Sequence, residues 1–455
     1  MKSSTASSHH LGFVGSVKLI LIGEAGERPW TNTLLLFFPL ALIAKYVGWN
    51  PTAQFLLSLV ALIPFAERLG FCTENLAEYT SDTLAGLMNA SMGNAPELII
   101  AIFALRADLI TVTYKSLLGS ILSNLMLVMG MSFIVGGYFH FELVHSTALS
   151  QTNALLLILL IAAHGFATIF AKTGASEINV LKLSYVSAII LLILYLAFLI
   201  FQLKSHASLF DDDDGEDEEE EKEPADASVL AEDGACSFAD STIANHPPNP
   251  IPVLVISSTS EFSDAAERLP LSTDMKAHTH PHHDETSPAT VMIVTKELKL
   301  SFRGSIIGLA VVAGLIALLS EVLTDSIAQS AAQMGISEGF VATILTPIAG
   351  NAAEHWSAVR FAAKGRLNIS LSIAIGSSIQ IGLFLIPLIT LIAWAAGKEM
   401  SYDYGAFEAS TLAFAVFLAI FASQHGRVQW LMGLILILAY VIVVTGYLLE
   451  TDRIG

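Results

Sequence analysis

Long apolar runs broken by short polar or turn-rich stretches dominate the chain, and eleven of them approach the roughly 20 residues a helix needs to cross the hydrocarbon core. They lie at 32–48, 53–70, 83–105, 112–137, 150–172, 182–203, 303–321, 338–362, 369–395, 406–423 and 430–449. The pattern predicts an all-α polytopic membrane protein. Gly, Pro and Asn recur inside the runs, which lipid tolerates only where neighbouring helices or trapped water satisfy the freed backbone groups. That suits a transporter better than an anchor. The first ten residues carry no apolar core behind a basic start, so no cleaved signal peptide is expected and residues 1–31 read as a cytosolic tail. Residues 450–455 form the C-terminal tail.

Between 204 and 302 the apolar pattern stops. This insert opens on DDDDGEDEEEEKE at 211–223 and continues in Pro, Ser, Ala and His, so it reads as mostly disordered. Composition sharpens the division. Of 455 residues, 54% are hydrophobic and 14% charged, against about a quarter charged in a soluble domain. The formal charge of −19 is concentrated, because residues 205–300 hold 22 acidic and 5 basic residues, net −17, and the rest of the chain carries −2. No basic surface exists to neutralise phosphates, which argues against nucleic acid as a partner. The acidic run is either a solvated linker or a short helix that attracts cations at the membrane surface. HTHPHH at 278–283 is short and lacks a fixed scaffold for a transition metal. Cys72 and Cys236 are expected to stay thiols.

Eleven spans with a cytosolic N-terminus put the insert and the 363–368 turn, with Lys364 and Arg366, in the cytosol. Arg106, Lys115, Lys172 and Lys182 then fall on the opposite side, so the positive-inside bias is modest.

Sliding the chain on itself by 257 residues lays GNAPELI at 93–99 on GNAAEHW at 350–356 and, in the same ungapped register, LGSILSN at 118–124 on IGSSIQI at 375–381. The protein is a duplication: an extra first helix at 32–48, then five-helix repeats at 53–203 and 303–449. An odd number of spans per repeat inverts the second copy, and inverted repeats place a substrate site near the membrane midplane where the copies meet.

Glu97 and Glu354 occupy matched positions inside apolar helices, where a charged side chain costs at least about 2.5 kcal/mol. No basic residue shares their helical face. Two carboxylates brought together by the pseudo-twofold cannot both ionise cheaply unless something positive sits between them, and a divalent cation or protons would serve. Calcium takes six to eight oxygen ligands. Asn94 and Asn351 lie three residues before the glutamates; Ser120, Ser123 and Asn124, and in the other copy Ser377 and Gln380, add hydroxyl and amide groups on the next helix. Each of these polar groups could instead bond helix to helix. Gly93, Pro96 and Gly350 are expected to break the helices there and turn carbonyls toward a cation. Glu67 and Glu321, near the ends of matched spans, guard the entrance or snorkel to water. Glu74, Glu78 and Asp82 form an acidic vestibule or a solvated turn, and His355 points away from Glu354 and packs.

These motifs resemble the calcium/proton exchanger family, the vacuolar cation/proton antiporters of fungi and plants within the cation/calcium exchanger superfamily. The resemblance spans about 32–449 and implies that Glu97 and Glu354 bind calcium or protons, that Gln380 and the serines help coordinate, and that helices 53–70 and 303–321 move as gates against a fixed core. It also implies a vacuolar or other acidic-organelle membrane and no cofactor beyond the transported Ca2+ and H+. Sodium/calcium exchangers of the superfamily usually carry an acidic or amide residue where this chain has Ile381, which favours proton coupling. His425, Met432 and Ala353 depart from the family pattern.

The expected activity is therefore Ca2+/H+ antiport, with no enzymatic function. Manganese or another cation, and a passive channel, are the alternatives; an intramembrane hydrolase would need aspartates with a water path. Homo-oligomerisation stays open.

Overall fold

The computed structural model describes residues 29–80, 92–206 and 300–450, with positions 19, 20, 84 and 88. The expectations for the N-terminal tail before residue 29, for Asp82, for 211–223, for 278–283 and Cys236, and for 451–455 lie outside the described residues.

The described chain is helical: α1 Thr31–Val47, α2 Pro51–Ala77, α3 Ala95–Arg106, α4 Ile110–Phe139, α5 Thr147–Lys172, α6 Glu177–Ser205, α7 Phe302–Met334, α8 Glu338–Gly350, α9 Ala352–Ala363, α10 Leu367–Ala395, α11 Ala406–Ser423 and α12 Trp430–Leu449. Eight of these, α2, α4 to α7 and α10 to α12, are long and apolar enough to cross a membrane. The expected runs 32–48 and 338–362 appear as shorter helices, α1 and the pair α8 and α9, and the run 83–105 lies partly outside the described residues. The predicted run 338–362 is two helices, α8 and α9, which meet at Asn351.

Apolar faces point outward as well as inward. On α6, Ile189, Ile193, Leu196 and Ile200 follow helical spacing and are 45–62% exposed, a stripe that hydrocarbon covers. Inward, two apolar cores form. One joins α2 to α7 through Phe55, Leu62 and Leu69 against Ile316, Leu319 and Leu323. The other centres on α4 and α10, with Ile121, Leu125 and Phe133 against Ile375, Ile379 and Leu383.

The 257-residue register survives in three dimensions. α3 and α9 begin at Ala95 and Ala352, α4 and α10 at Ile110 and Leu367. Asp108 (φ 60°) and Gly365 (φ 78°), the matched turn residues, are both left-handed. α4 and α10 each carry a π-helical turn, at Ser123–Val128 and Ile381–Leu385. Such turns widen a helix and free backbone groups near functional sites. The second is held from the first repeat, since His164 of α5 faces the Gly382 carbonyl with Nε2 at 3.4 Å while its Nδ1 accepts from the Tyr404 hydroxyl at 3.0 Å.

Short ties link the repeats to each other and to α1. Leu143–Val144 and Arg427–Val428 form a two-strand antiparallel pair, β1 and β2. Lys45 of α1 pairs with Glu321 and Asp325 on α7 at 3.3 and 3.1 Å. Deeper, Lys115 of α4 meets Glu408 of α11 at 2.7 Å with both side chains under 10% exposed, and Glu450 after α12 stands 3.5 Å away. Gly339 makes room for the Lys115 ammonium, which a methyl there would meet at 2.8 Å.

Removing one partner of a buried pair leaves an uncompensated charge, which costs about 3–5 kcal/mol. Lys115→Met is expected to lower the melting temperature in detergent sharply, and Lys115→Met with Glu408→Gln to recover part of the loss. A Lys115→Met protein that melts like the parent would show that the pair is not a brace.

Candidate functional site

Both glutamates stand just after a break in the helix. Asn94 (φ −99°, ψ 28°) and Asn351 (φ −92°, ψ 8°) leave helical geometry, and α3 and α9 start on the following residue. Their carbonyls accept the first helical bonds, from Leu98 at 3.1 Å and His355 at 2.9 Å. Pro96 does not cause the break. It lies in the first turn of α3, where a missing N–H costs no helical bond, and the second copy breaks in the same way with Ala353 in its place. The Gly-Asn pairs are the common element.

Restarting the helix there puts Glu97 and Glu354 in the first turns of α3 and α9, where the positive end of the helix dipole favours a carboxylate. Neither asparagine caps its own helix through its side chain, which leaves both amides for other partners. Asn94 Nδ2 donates to Gln380 Oε1 at 2.8 Å, joining the break in one repeat to α10 of the other. Ser377 Oγ donates to Glu354 Oε2 at 2.8 Å. Glu97 Oε1 lies against Gly350, where a methyl would meet it at 2.9 Å. Glu97 thus reaches into the second repeat, at the glycine four residues before Glu354.

Around them, polar groups stay without protein hydrogen-bond partners among the described residues: Glu97 Oε1, Asn94 Oδ1, Gln380 Nε2 and both amide atoms of Asn351 and of Asn124. Buried polar atoms are nearly always satisfied, so such a cluster marks a place built for an ion or water. No ion pair to Glu97 or Glu354 occurs among the described residues.

Two cavities meet the site from different faces. A vestibule of about 1060 Å³ is lined by Glu354, Ser377, Gln380, Gly350 and, further out, Glu67, Glu74 and Arg360. A second cavity of about 10 Å³ is lined by Glu97, Ser116, Ser120, Thr346 and Gly350 and by the apolar Ile100, Leu117 and Pro347. The matched glycines show the same split. Gly119 packs so tightly on α8 that a methyl would lie 2.7 Å from the Thr343 carbonyl carbon and 2.8 Å from Pro347 Cγ, whereas Gly376 lines the vestibule with nothing within 4 Å of that position.

Of the residues expected from sequence, Glu97, Glu354, Asn94, Ser377, Gln380, Ser120, Gly93, Pro96 and Gly350 gather at these cavities or at each other. Ser123 instead donates to the Ser120 carbonyl of its own helix at 3.1 Å. Asn351 at its break and Asn124 in the π-helical turn of α4 are buried and line neither cavity. Glu67 reaches the vestibule; Glu321 does not line it and pairs with Lys45. His355 is buried, with Nε2 unpartnered among the described residues. Ser116 and Thr346 were not singled out by sequence. Their one signal is spacing, each one helical turn before a site residue, Ser120 and Gly350.

Comparison with known proteins covers nearly the whole chain. The family model described as "sodium/calcium exchanger protein" matches residues 50–204 and 304–449. "Vacuolar cation/proton exchanger 5" of Arabidopsis thaliana is 35% identical over 429 residues, 92% of this chain and 81% of its own length. "Vacuolar calcium ion transporter" of Cryptococcus neoformans var. grubii is 33% identical over 453 residues, 92% of this chain and 73% of its own. Among solved structures, native YfkE superposes with a TM-score of 0.67 at 27% identity, over 92% of this chain and all of its own. An H+/Ca2+ exchanger, CAX, shares the fold at a TM-score of 0.58 and 13% identity, over 96% of this chain and 93% of its own.

The contrast between the matched glycines is testable in stability. Gly119→Ala drives a methyl into backbone and is expected to lower the melting temperature, with overpacking worth about 1–3 kcal/mol. Gly376→Ala should leave it unchanged or raise it, since Ala favours a helix by about 1 kcal/mol. Equal losses at the two positions would contradict the unequal packing.

Proposed function

The chain belongs to the sodium/calcium exchanger protein family, a family of transporters, and we propose that it is a secondary active antiporter that moves Ca2+ one way across a membrane and H+ the other. The observation that carries this reading is the pair Glu97 and Glu354, set in matched first turns, with Glu97 buried against Gly350 of the second repeat, Glu354 lining the vestibule, and no ion pair to either among the described residues. Two carboxylates so close need positive charge between them. Calcium, a hard cation that takes oxygen ligands, and protons both supply it, and each must leave before the other binds. Competition for one pair of acids couples the two fluxes.

Relatives named as vacuolar cation/proton exchangers, and a structural neighbour described as a Ca2+/H+ antiporter at 27% identity, support calcium and protons as the ions. They also support the membrane of a vacuole or similar acidic organelle as its place. With the N-terminus in the cytosol, the vestibule opens toward the cytosol, because Thr31 and Gln202, next to the tail and the insert, line it. In this arrangement cytosolic calcium reaches Glu354, Ser377 and Gln380 past Glu67 and Glu74. Sliding of α2 and α7 against the α4 and α10 core would then expose the site to the lumen, where protons displace the metal. Asn94, Asn351, Ser120 and Asn124 supply further oxygens, and Gly93 and Gly350 keep the breaks open.

The test is calcium uptake into sealed vesicles of purified protein with an acidic interior, against vesicles whose pH gradient has been collapsed. Uptake is expected only with the gradient, and Glu97→Gln or Glu354→Gln should reduce it to background while the proteins still insert. Gradient-independent uptake would indicate a channel or another coupling ion, and exchange by the double Gln variant would reject the paired carboxylates.

A further inference from the structure

The second repeat's share of the site depends on a turn held from the first. Gln380, which accepts from Asn94, directly precedes the π-helical turn Ile381–Leu385 of α10, and Ser377, which donates to Glu354, lies just before it. A π-helical turn carries one residue more than an α-helical one, and an α-helix advances about 100° per residue. The turn therefore sets the angle between the face that carries Ser377 and Gln380 and the face beyond it, where Leu385, Ile386 and Ile389 are packed in the core. Closing it to an α-turn while that core face stays in place would swing the two polar side chains about 100° away from their partners.

Two residues of α5 press on this turn at one place. A methyl group on Gly382 would collide with the Leu160 side chain, whose Cγ lies 2.7 Å from that position, and one helical turn further on His164 sets Nε2 at 3.4 Å from the Gly382 carbonyl. A carbonyl only accepts, so Nε2 carries the ring proton and Nδ1 takes the Tyr404 hydroxyl at 3.0 Å. The imidazole is 1% exposed, its centroid stands 4.4 Å from that of the Tyr402 ring, and it stacks on Tyr404. Tyr402 is anchored in turn, its N–H donating to Ser184 Oγ at 2.8 Å and its carbonyl accepting from Thr168 at 3.3 Å. The position matched to His164 in the second repeat is Phe421, which is 62% exposed, so the α4 turn has an outward-facing phenylalanine where the α10 turn has this imidazole.

We infer that His164 is a positioning residue for the cation site: by holding the Gly382 carbonyl it keeps the π-helical turn in the register that aims Ser377 and Gln380 at Glu354 and Asn94. It touches no ion itself. A hard cation that takes six to eight oxygens at short distance binds less tightly when neutral ligands are misaimed, so this role sets affinity for the ion rather than the speed of the cycle. The inference rests on the function proposed above, in which Glu354, Ser377 and Gln380 meet calcium.

The experiment compares His164→Leu with His164→Gln in the vesicle assay and by the rise in melting temperature that calcium gives the purified protein. Gln offers an amide N–H to the carbonyl and an oxygen to Tyr404, as the imidazole does. His164→Leu is expected to raise half-saturating calcium about tenfold, the lower end of what losing a group that orients metal ligands costs, with the maximal rate changed by less than about twofold. His164→Gln should lie near the parent. In a Gln380→Ala background the same Leu change should cost about threefold at most, because effects that act through one residue do not add. Should His164→Leu not fold, Gly382→Ala tests the same contact: it should raise half-saturating calcium, and Leu160→Ala in the same chain should bring it back. A maximal rate that falls while half-saturating calcium holds, an undiminished loss in the Gln380→Ala background, or a Gly382→Ala loss that Leu160→Ala does not recover would overturn the assignment. A parent that neither takes up calcium nor is stabilised by it would sink the antiport reading and this inference with it. Where the parent does both, a His164→Leu variant with unchanged half-saturating calcium overturns this inference alone.

Discussion

Two carboxyl groups held in apolar surroundings with no basic partner among the described residues set the terms for the rest of this structure. An ionised carboxylate near the middle of a bilayer costs at least about 2.5 kcal/mol, and the fold reduces that cost locally rather than cancelling it. Breaking each helix at a Gly-Asn pair places each acid in a first turn, next to unbonded N–H groups and the positive end of the dipole. Gly350, lacking a side chain, lets Glu97 approach the second repeat. The pair Lys115 and Glu408 shows the other solution to the same problem. There an ammonium from within the chain neutralises the acid at 2.7 Å, permanently. An acid already neutralised by its own protein has no need of an exchangeable ion, which is why Glu97 and Glu354, and not Glu408, are the acids proposed to take one.

Sequence symmetry does not carry over into symmetric surroundings. Gly119 and Gly376 are matched residues, as are Glu97 and Glu354, yet one of each pair is packed on the far side and the other faces an open vestibule. Close-packed interfaces are not continuously deformable, so a contact such as Gly119 on the Thr343 carbonyl is either made or broken. Two repeats with one set of motifs can therefore occupy unlike arrangements at once, which is the property an alternating cycle would need.

Much of this was legible in the residues. The ungapped 257-residue register reappears as matched helix starts and as the left-handed pair Asp108 and Gly365, because a turn of fixed length must close in the same way in both copies. The helix breaks were legible too, although Gly-Asn makes them and Pro96 only follows. What escaped were partnerships between elements distant in sequence. Glu321, near a helix end, reads as guarding the entrance or reaching water; its lysine partner lies 276 positions earlier, in a helix outside the repeat. Likewise Lys115 finds Glu408 across the duplication. Periodicity reports which face of a helix is apolar, and it carries no information about which helix lies opposite. Hydroxyls such as Thr346 are the extreme case, being mild in hydropathy and distinguished only by the cavity they border.

The residues that break the symmetry determine which side stays sealed. The position matched to Lys115 in the second repeat is Ser372, and it lines the vestibule. The far side is therefore closed by glycine packing and also by a buried ion pair linking α4 to α11, with Gly339 shaped to admit the ammonium. Sealing the vestibule side by the mirrored movement would bring up a serine in the lysine's place, without that pair. Because a buried charge with its partner removed costs several kcal/mol, opening the far side must either keep Lys115 and Glu408 together as α8 moves or supply water to both. In the proposed cycle the buried pair is therefore a cost of opening the far side that the vestibule side, with Ser372 in the lysine's place, does not carry.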